Sequence, residues 1–184
     1  MIMYPFTWKH EMGVELHKIR QHLDKASRSC LEQDFKDASA WLERFLMISA
    51  FTIRRLSESR HLKIDLDKRF LKALSYSKRK GASKIDLSNW QDVTTYYQTD
   101  IPKVVTIPAR HICNQLMHSF ILLDCGYEDE TKILSGFIVT SDIAREKVVL
   151  YIEHENYFIF IEEVVIDGTD GYVYNRDTGF VEKN

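Results

Sequence analysis

The sequence predicts an α+β fold, in which an N-terminal helical bundle (residues 1–126) precedes a small antiparallel β element (residues 127–184). Apolar residues upstream of residue 126 recur at helical spacing, whereas β-branched and aromatic residues dominate downstream of it. A chain of 184 residues that is 45% hydrophobic and 28% charged is large enough to form the hydrophobic core of about one domain. We therefore expect the two parts to pack together as one unit.

Two long amphipathic helices open the predicted bundle. The first covers residues 9–28, where apolar residues three and four apart lie on one side. The second covers residues 35–56 and has two apolar stripes, so we expect it to pack against several neighbours as the central helix. One stripe consists of Ala38, Leu42, Phe45, Thr52 and Leu56, and the other consists of Trp41, Leu46, Ala50 and Ile53.

Three shorter helices complete the predicted bundle, over residues 65–80, 88–97 and 108–123. The first of these has apolar residues four apart and ends before a glycine that can adopt the left-handed cap conformation. The second begins with the Ser-x-x-Gln spacing of a capping box. The third begins with Pro108, which suits the first turn of a helix.

The last third of the chain favours strands. Residues 133–140 and 147–153 are rich in β-branched and aromatic residues and predict two strands. Residues 172–174 and 180–181 flank a five-residue loop that contains glycine, which predicts a hairpin. Residues 157–166 have the composition of a strand, but apolar residues three and four apart favour a short helix.

Composition and cysteine content exclude several classes of protein. The formal net charge of -2 gives no general attraction to nucleic acid or to an anionic membrane, and no apolar run reaches the ~18 residues of a membrane span. The three cysteines are widely spaced, which favours a reduced, cytoplasmic protein. The sequence also lacks the motifs of P-loop NTPases, Rossmann dehydrogenases, α/β-hydrolases and zincins.

The fifth predicted helix carries a stripe of polar residues. At 100° per residue, Arg110, His111, Asn114 and His118 fall on one side of it, without the Lys, Glu or Asp of an ordinary solvated face. Histidine exchanges protons near neutral pH, and a guanidinium can hold a phosphate through paired hydrogen bonds. This stripe could therefore cleave a phosphodiester without a metal, with an RNA 2′-hydroxyl as nucleophile.

The Asn-x-x-x-His element at Asn114 and His118, late in a helical chain, resembles the HEPN superfamily of all-helical domains. The segment 51–58 on the second helix is also similar to an early helix of that family. The resemblance implies metal-independent ribonuclease activity in toxin–antitoxin or phage-defence systems, and a homodimer with its active cleft between two protomers. The sequence departs from the family's motif because Cys113 stands where its arginine belongs, so Arg110, one turn earlier, would have to replace it.

Two functions follow from these observations. The missing motif arginine favours a non-catalytic module that dimerises or binds a partner protein. The alternative is an endoribonuclease in which His118 is the general acid and base, Arg110 stabilises the phosphate and Asn114 orients the reacting groups. Its RNA contacts would come from His111 and from three consecutive basic residues, Lys78, Arg79 and Lys80.

Structural roles for the same residues stay open at this point. His118 could be a buried or half-buried histidine that is bonded to Asn114 and to a backbone carbonyl. Arg110 could pair with an acid such as Asp100, and the basic run could be a solvated loop. We expect neither a cofactor nor a metal ion. Although histidine and cysteine are zinc ligands, Cys113 and His118 would lie about 140° apart around a helix and could not easily share one ion.

Overall fold

The computed structural model describes residues 4–29, 31–126, 134–168, 172–179 and 181–183. Two long helices come first, and strands and shorter helices follow. The helices are α1 (Pro5–Arg28), α2 (Glu32–Glu58), α3 (Val93–Tyr96), α4 (Ala109–Met117) and α5 (His154–Ile166). The strands are β1 (Phe70–Ser77), β2 (Lys103–Pro108), β3 (Ser119–Gly126), β4 (Leu134–Ser141), β5 (Val148–Glu153), β6 (Tyr172–Tyr174) and β7 (Val181–Lys183).

A five-stranded antiparallel sheet is the centre of the fold. Its strand order is β2-β1-β5-β4-β3, so it combines strands from both sides of the predicted boundary at residues 126/127. The prediction of a helical bundle with a small β element is therefore wrong, although the fold is α+β. The helices predicted over 9–28, 35–56 and 157–166 are present as α1, α2 and α5, and the strands predicted downstream are present as β4, β5 and the β6–β7 hairpin.

The helix predicted over residues 65–80 is wrong, because most of this segment is strand β1. The four-residue spacing of its apolar residues suits a helix, but residues four apart also share one face of a strand. Leu71 and Ala73 are buried on one face of β1, whereas Phe70 and Lys72 are exposed on the other. Residues 70–75 pair with β2 and residues 74–77 pair with β5, and these pairings satisfy backbone groups that a helix would otherwise satisfy internally.

The helix predicted over residues 108–123 is also too long. Helix α4 ends at Met117, where His118 takes a φ of -115° and a ψ of 28° and the chain turns into β3. The run that follows begins with four apolar residues, Phe120 to Leu123, and it pairs with β4 from Ser119 onwards. Likewise, the helix predicted over 88–97 is reduced to the single turn of α3.

The helices form two layers on one face of the sheet. Helix α5 lies against β1, β4 and β5, whereas α4 lies against β4 and connects edge strand β2 to the opposite edge strand β3. Helix α1 packs on α5, and α2 packs on α4 and also contacts β3. The outer layer is therefore the α1–α2 hairpin, and α2 has neighbours on its inner side.

The opposite face of the sheet is partly covered by the segment between β1 and β2. Ile85, Val93 and Tyr97 of this segment are buried against Ile121 and Val149 of the sheet. The Tyr97 hydroxyl donates a hydrogen bond of 2.6 Å to the Arg145 carbonyl, which fixes the segment to the β4–β5 connection.

The β6–β7 hairpin is attached to α1 and α5 rather than to the main sheet. The Tyr174 hydroxyl donates to the Gly13 carbonyl at 2.8 Å, and the Arg176 guanidinium pairs with Glu162 at 2.7 Å. Glu162 also pairs with Arg20 of α1 at 3.0 Å. These contacts position the C-terminal hairpin on the two helices.

A matched pair of glycines tests this attachment. Gly179 has a φ of +75°, and a Cβ there would lie 2.5 Å from His17 Cβ on α1; Gly81 has a φ of +79°, and a Cβ there would have nothing within 4 Å. Both alanine variants incur backbone strain of about 1–2 kcal/mol. We expect Gly179→Ala to lose about 1–3 kcal/mol more than Gly81→Ala in urea unfolding, because only Gly179→Ala forces α1 and the hairpin apart. Equal losses would show that the contact with His17 does not hold the hairpin.

Candidate functional site

The polar stripe of the sequence lies on the outer side of α4. Arg110 lies in the first turn, Asn114 one turn later and His118 at the C-cap, about 12 Å from Arg110 along the helix axis. The buried side of the helix faces α2 and the sheet and consists of Ala109, Ile112, Cys113, Gln115 and Leu116. Arg110 and His118 thus stand at opposite ends of a short helix, with Asn114 between them.

Arg110 is held by an acidic residue, although not by Asp100. Its Nε donates to both carboxylate oxygens of Asp67 at 2.9 Å, and its backbone N–H donates to the Leu66 carbonyl at 3.1 Å. Asp100 instead accepts from Arg79 at 3.2 Å. The carboxylate of Asp67 offsets the positive charge that a phosphate would need at Arg110.

Asn114 accepts a hydrogen bond from an arginine that the sequence pattern did not place near it. The Arg54 Nη1 atom, on α2, donates to Asn114 Oδ1, and Arg54 Nη2 donates to Glu58 Oε1 at 2.7 Å. A guanidinium therefore does lie beside the Asn-x-x-x-His element, but it comes from another helix and is itself paired with a carboxylate. Helix spacing alone could not have found this contact, because it spans 60 residues.

His118 is exposed, so the alternative of a buried histidine bonded to Asn114 is wrong. Its backbone forms the end of α4, where its N–H donates to the Asn114 carbonyl at 3.1 Å and its carbonyl accepts from the Asp142 N–H at 3.3 Å. The imidazole is thus accessible to solvent. His111 is exposed as well, and its Nε2 lies 3.2 Å from the Gln115 side-chain amide.

The basic run after β1 is already engaged in ion pairs. Lys78 Nζ donates to Glu146 Oε2, and Arg79 pairs with Asp100, whereas Lys80 is exposed. Lys78 follows β1 and His118 precedes β3, and three strand spacings, about 14 Å, separate these strands. The structure therefore does not bring the run together with the stripe on α4.

Cys113, at the position of the missing motif arginine, is a buried thiol. Burial raises the pKa of Cys113 to about 12, and the nearby guanidiniums of Arg54 and Arg110 offset this only in part. A thiol with this pKa stays protonated at neutral pH and is a poor nucleophile or metal ligand. Among the residues that the structure describes, no group of three or more His, Cys, Asp or Glu side chains could hold a metal ion.

An apolar groove lies elsewhere, on the outer face of the two N-terminal helices. A groove of about 290 Å³ runs between α1 and α2, and its floor consists of the core residues Met12 and Phe45. Apolar side chains on its two walls remain open to solvent: Trp8 is 39% exposed, Trp41 is 41% exposed and Ile48 is 51% exposed. These side chains make the groove the candidate binding surface on the outer helices.

Charged groups flank this groove on both walls. Glu11 and Glu15 lie on the α1 wall, and Arg44 lies on the α2 wall. The Arg44 guanidinium stands 5.2 Å from the centre of the Trp41 ring, and His22 of α1 stacks on the same ring at 5.5 Å. These contacts hold the Trp41 indole in place, so the groove is preformed.

Comparisons with protein-family models, with curated proteins and with solved structures give no match for this chain. The HEPN-like assignment therefore stays a prediction. In the described part of the chain, no helix combines the length and the apolar character that crossing a membrane requires.

Sequence reasoning missed the groove, although one signal for it was present. The apolar residues of α2 extend around more of its circumference than a single buried face requires. Leu46, Ala50 and Ile53 of the second predicted stripe are buried, whereas Trp41 is exposed. Three apolar residues outside both stripes are exposed as well: Met47, Ile48 and Phe51. The missing information was which side of α2 the remaining elements would cover.

Proposed function

We propose that this chain is a non-catalytic binding module, which docks a protein through the outer face of α1 and α2. The observation that carries this proposal is the preformed apolar groove between these helices, with Trp8, Trp41 and Ile48 exposed on its walls. Aromatic anchors in a concave, apolar surface with a charged rim are typical of interfaces whose binding energy is concentrated in a few residues.

The α4 stripe supports the non-catalytic interpretation. Both guanidiniums near Asn114 and His118 are bound to carboxylates, Arg110 to Asp67 and Arg54 to Glu58. Each carboxylate would have to be displaced before its arginine could hold a phosphate with its full charge. The groove needs no such rearrangement, because its apolar walls are already open.

A photo-crosslinking side chain at position 48 tests the proposal. The full chain would carry this group in place of Ile48, be added to a lysate of its source organism and be irradiated. The control places the same group at Ile143, which is 89% exposed on the β4–β5 connection. We expect a discrete adduct of defined mass from position 48 and none from position 143. Equal labelling at both positions, or none at position 48, would refute the binding module.

A second candidate is metal-independent RNA cleavage by the α4 stripe, in a cytoplasmic protein of the defence type that the HEPN resemblance implies. One observation favours it. Arg54 places a guanidinium beside Asn114, although Cys113 stands at the position of the motif arginine in the sequence. In this candidate His118 transfers protons, Asn114 orients, and Arg54 or Arg110 stabilises the phosphate.

RNA cleavage in EDTA decides this candidate. The substrates are total RNA and transfer RNA, and the variants are His118→Ala, Arg54→Lys and Arg110→Lys, with Arg28→Lys as an exposed control on α1. If the binding module is correct, we expect no cleavage above background at any protein concentration. Cleavage that survives EDTA, falls at least about 100-fold in His118→Ala and is unchanged in Arg28→Lys would establish the ribonuclease.

A further inference from the structure

We infer that the protein docked in the α1–α2 groove is a second copy of this chain, arranged about a two-fold axis that runs along the groove. This inference rests on the proposed binding function and names the partner. Rotation about such an axis places α1 of each copy over α2 of the other. The two hairpins then form a four-helix layer in which the exposed apolar side of α2 gains the neighbour that it lacks in one copy.

The charges on the groove are self-complementary under this rotation. Glu11 and Glu15 line the α1 wall, where Glu15 also accepts from Lys18 Nζ at 2.7 Å, and Arg44 lines the α2 wall of the same groove. Because the two-fold axis exchanges the walls, the acids of each copy face the guanidinium of the other, and each interface contains this contact twice. A rotation that stacked α1 on α1 would instead place four carboxylates together, which like-charge repulsion disfavours.

The apolar content of the face supports the same arrangement. Trp8 on one wall and Trp41 and Ile48 on the other are each 39–51% exposed, and a two-fold axis would cover both sets at once. The Trp41 ring already contacts His22 and Arg44, so little side-chain freedom is lost when a second copy covers it.

A charge exchange between two variants tests this arrangement. One variant is Arg44→Glu and the other is Glu11→Lys with Glu15→Lys, and both are made in the full chain. Each variant alone would place like charges across the two-fold axis, whereas a mixture of the two would pair opposite charges at both contacts. Lys36→Glu, at an exposed residue of α2 outside the groove, is the matched control.

Sedimentation velocity measures the outcome. We expect the parent chain and Lys36→Glu to sediment as dimers of twice 21.7 kDa. Each groove variant alone should dissociate at least about tenfold more readily, and the equimolar mixture should recover the affinity of the parent. A parent that is monomeric up to millimolar concentration, or a mixture no tighter than its components, would overturn the second copy as partner. If the purified chain is a monomer but the crosslinker at position 48 captures a protein of another mass from lysate, the binding function stands and only the identity of the partner is wrong. If the crosslinker at position 48 captures nothing, the binding function is wrong as well.

Discussion

Phe137→Ala is expected to lower the free energy of unfolding by about 3–5 kcal/mol. Phe137 is fully buried on β4, between the sheet and α5. Its ring stacks on His154 at 6.1 Å and meets the Tyr157 ring edge-on at 5.7 Å. Alanine would remove both aromatic contacts and leave a cavity where the sheet and α5 meet.

The control is the same substitution at an exposed position of the same sheet. Phe70 lies on β1 and is 48% exposed, so Phe70→Ala should cost well under half as much as Phe137→Ala. Urea unfolding followed by circular dichroism gives both values, provided that the dependence on urea concentration is unchanged. Similar losses from the two variants would mean that β4 does not form the centre of the core.

Lys9→Met is expected to cost about 3–5 kcal/mol, because it breaks a buried ion pair. The side chains of Lys9 and Asp167 are only 8% and 6% exposed. Lys9 Nζ donates to the Asp167 carbonyl at 2.6 Å and lies 3.4 Å from Asp167 Oδ2, which also accepts from the Lys63 N–H at 2.7 Å. Without the ammonium group, the buried Asp167 carboxylate would lose its positively charged partner and keep the hydrogen bond from the Lys63 N–H.

Lys18→Met is the matched control for this prediction. Lys18 lies on the same helix and pairs with Glu15, but its side chain is 53% exposed, so its loss should cost less than about 0.5 kcal/mol. Thermal or urea unfolding compares the two variants. If Lys9→Met were as stable as Lys18→Met, the ion pair would not join α1 to the end of α5.

Local sequence patterns correctly predicted two kinds of element. In one, the packing partners are near in sequence; in the other, the spacing of the apolar residues fits only one type of secondary structure. In α1 and α2, which are 24 and 27 residues long, apolar residues keep a helical spacing along most of the element. An ordinary strand is much shorter than this, so the spacing allowed only a helix. For α5, the apolar residues at three- and four-residue spacing correctly outweighed a composition typical of a strand. Phe158, Ile161 and Val165, the three residues of that spacing, are all buried on α5.

The sheet was missed because its pairings are not local. Strand β1 pairs with β5, so that Leu74 opposes Tyr151 across 77 residues, and nothing in the sequence around Leu74 specifies this partner. The four-residue spacing from Phe70 to Leu74 fits either structure. The same limit applies to the candidate site, where the spacing on α4 placed Arg110 and His118 on its outer side but could not show that Asp67 and Arg54 reach them.

The docking face was present in the sequence as an excess of apolar residues on α2. In one copy of the chain the structure leaves Ile48 and Phe51 on the outer side of this helix. A helix with more apolar surface than its own chain covers requires a neighbour from outside, and this requirement links the sequence pattern to the proposed function.

The most direct test of this account is the urea midpoint of the parent chain and of Ile48→Glu over a wide range of protein concentration. If the outer face of α2 binds a second copy, the parent's midpoint should rise with concentration, because dimerisation stabilises only the folded state. The midpoint of Ile48→Glu should not change with concentration and should equal the parent's low-concentration limit. A loss of several kcal/mol in Ile48→Glu at every concentration would contradict the account, because Ile48 would then belong to the core of the single chain rather than to a docking face.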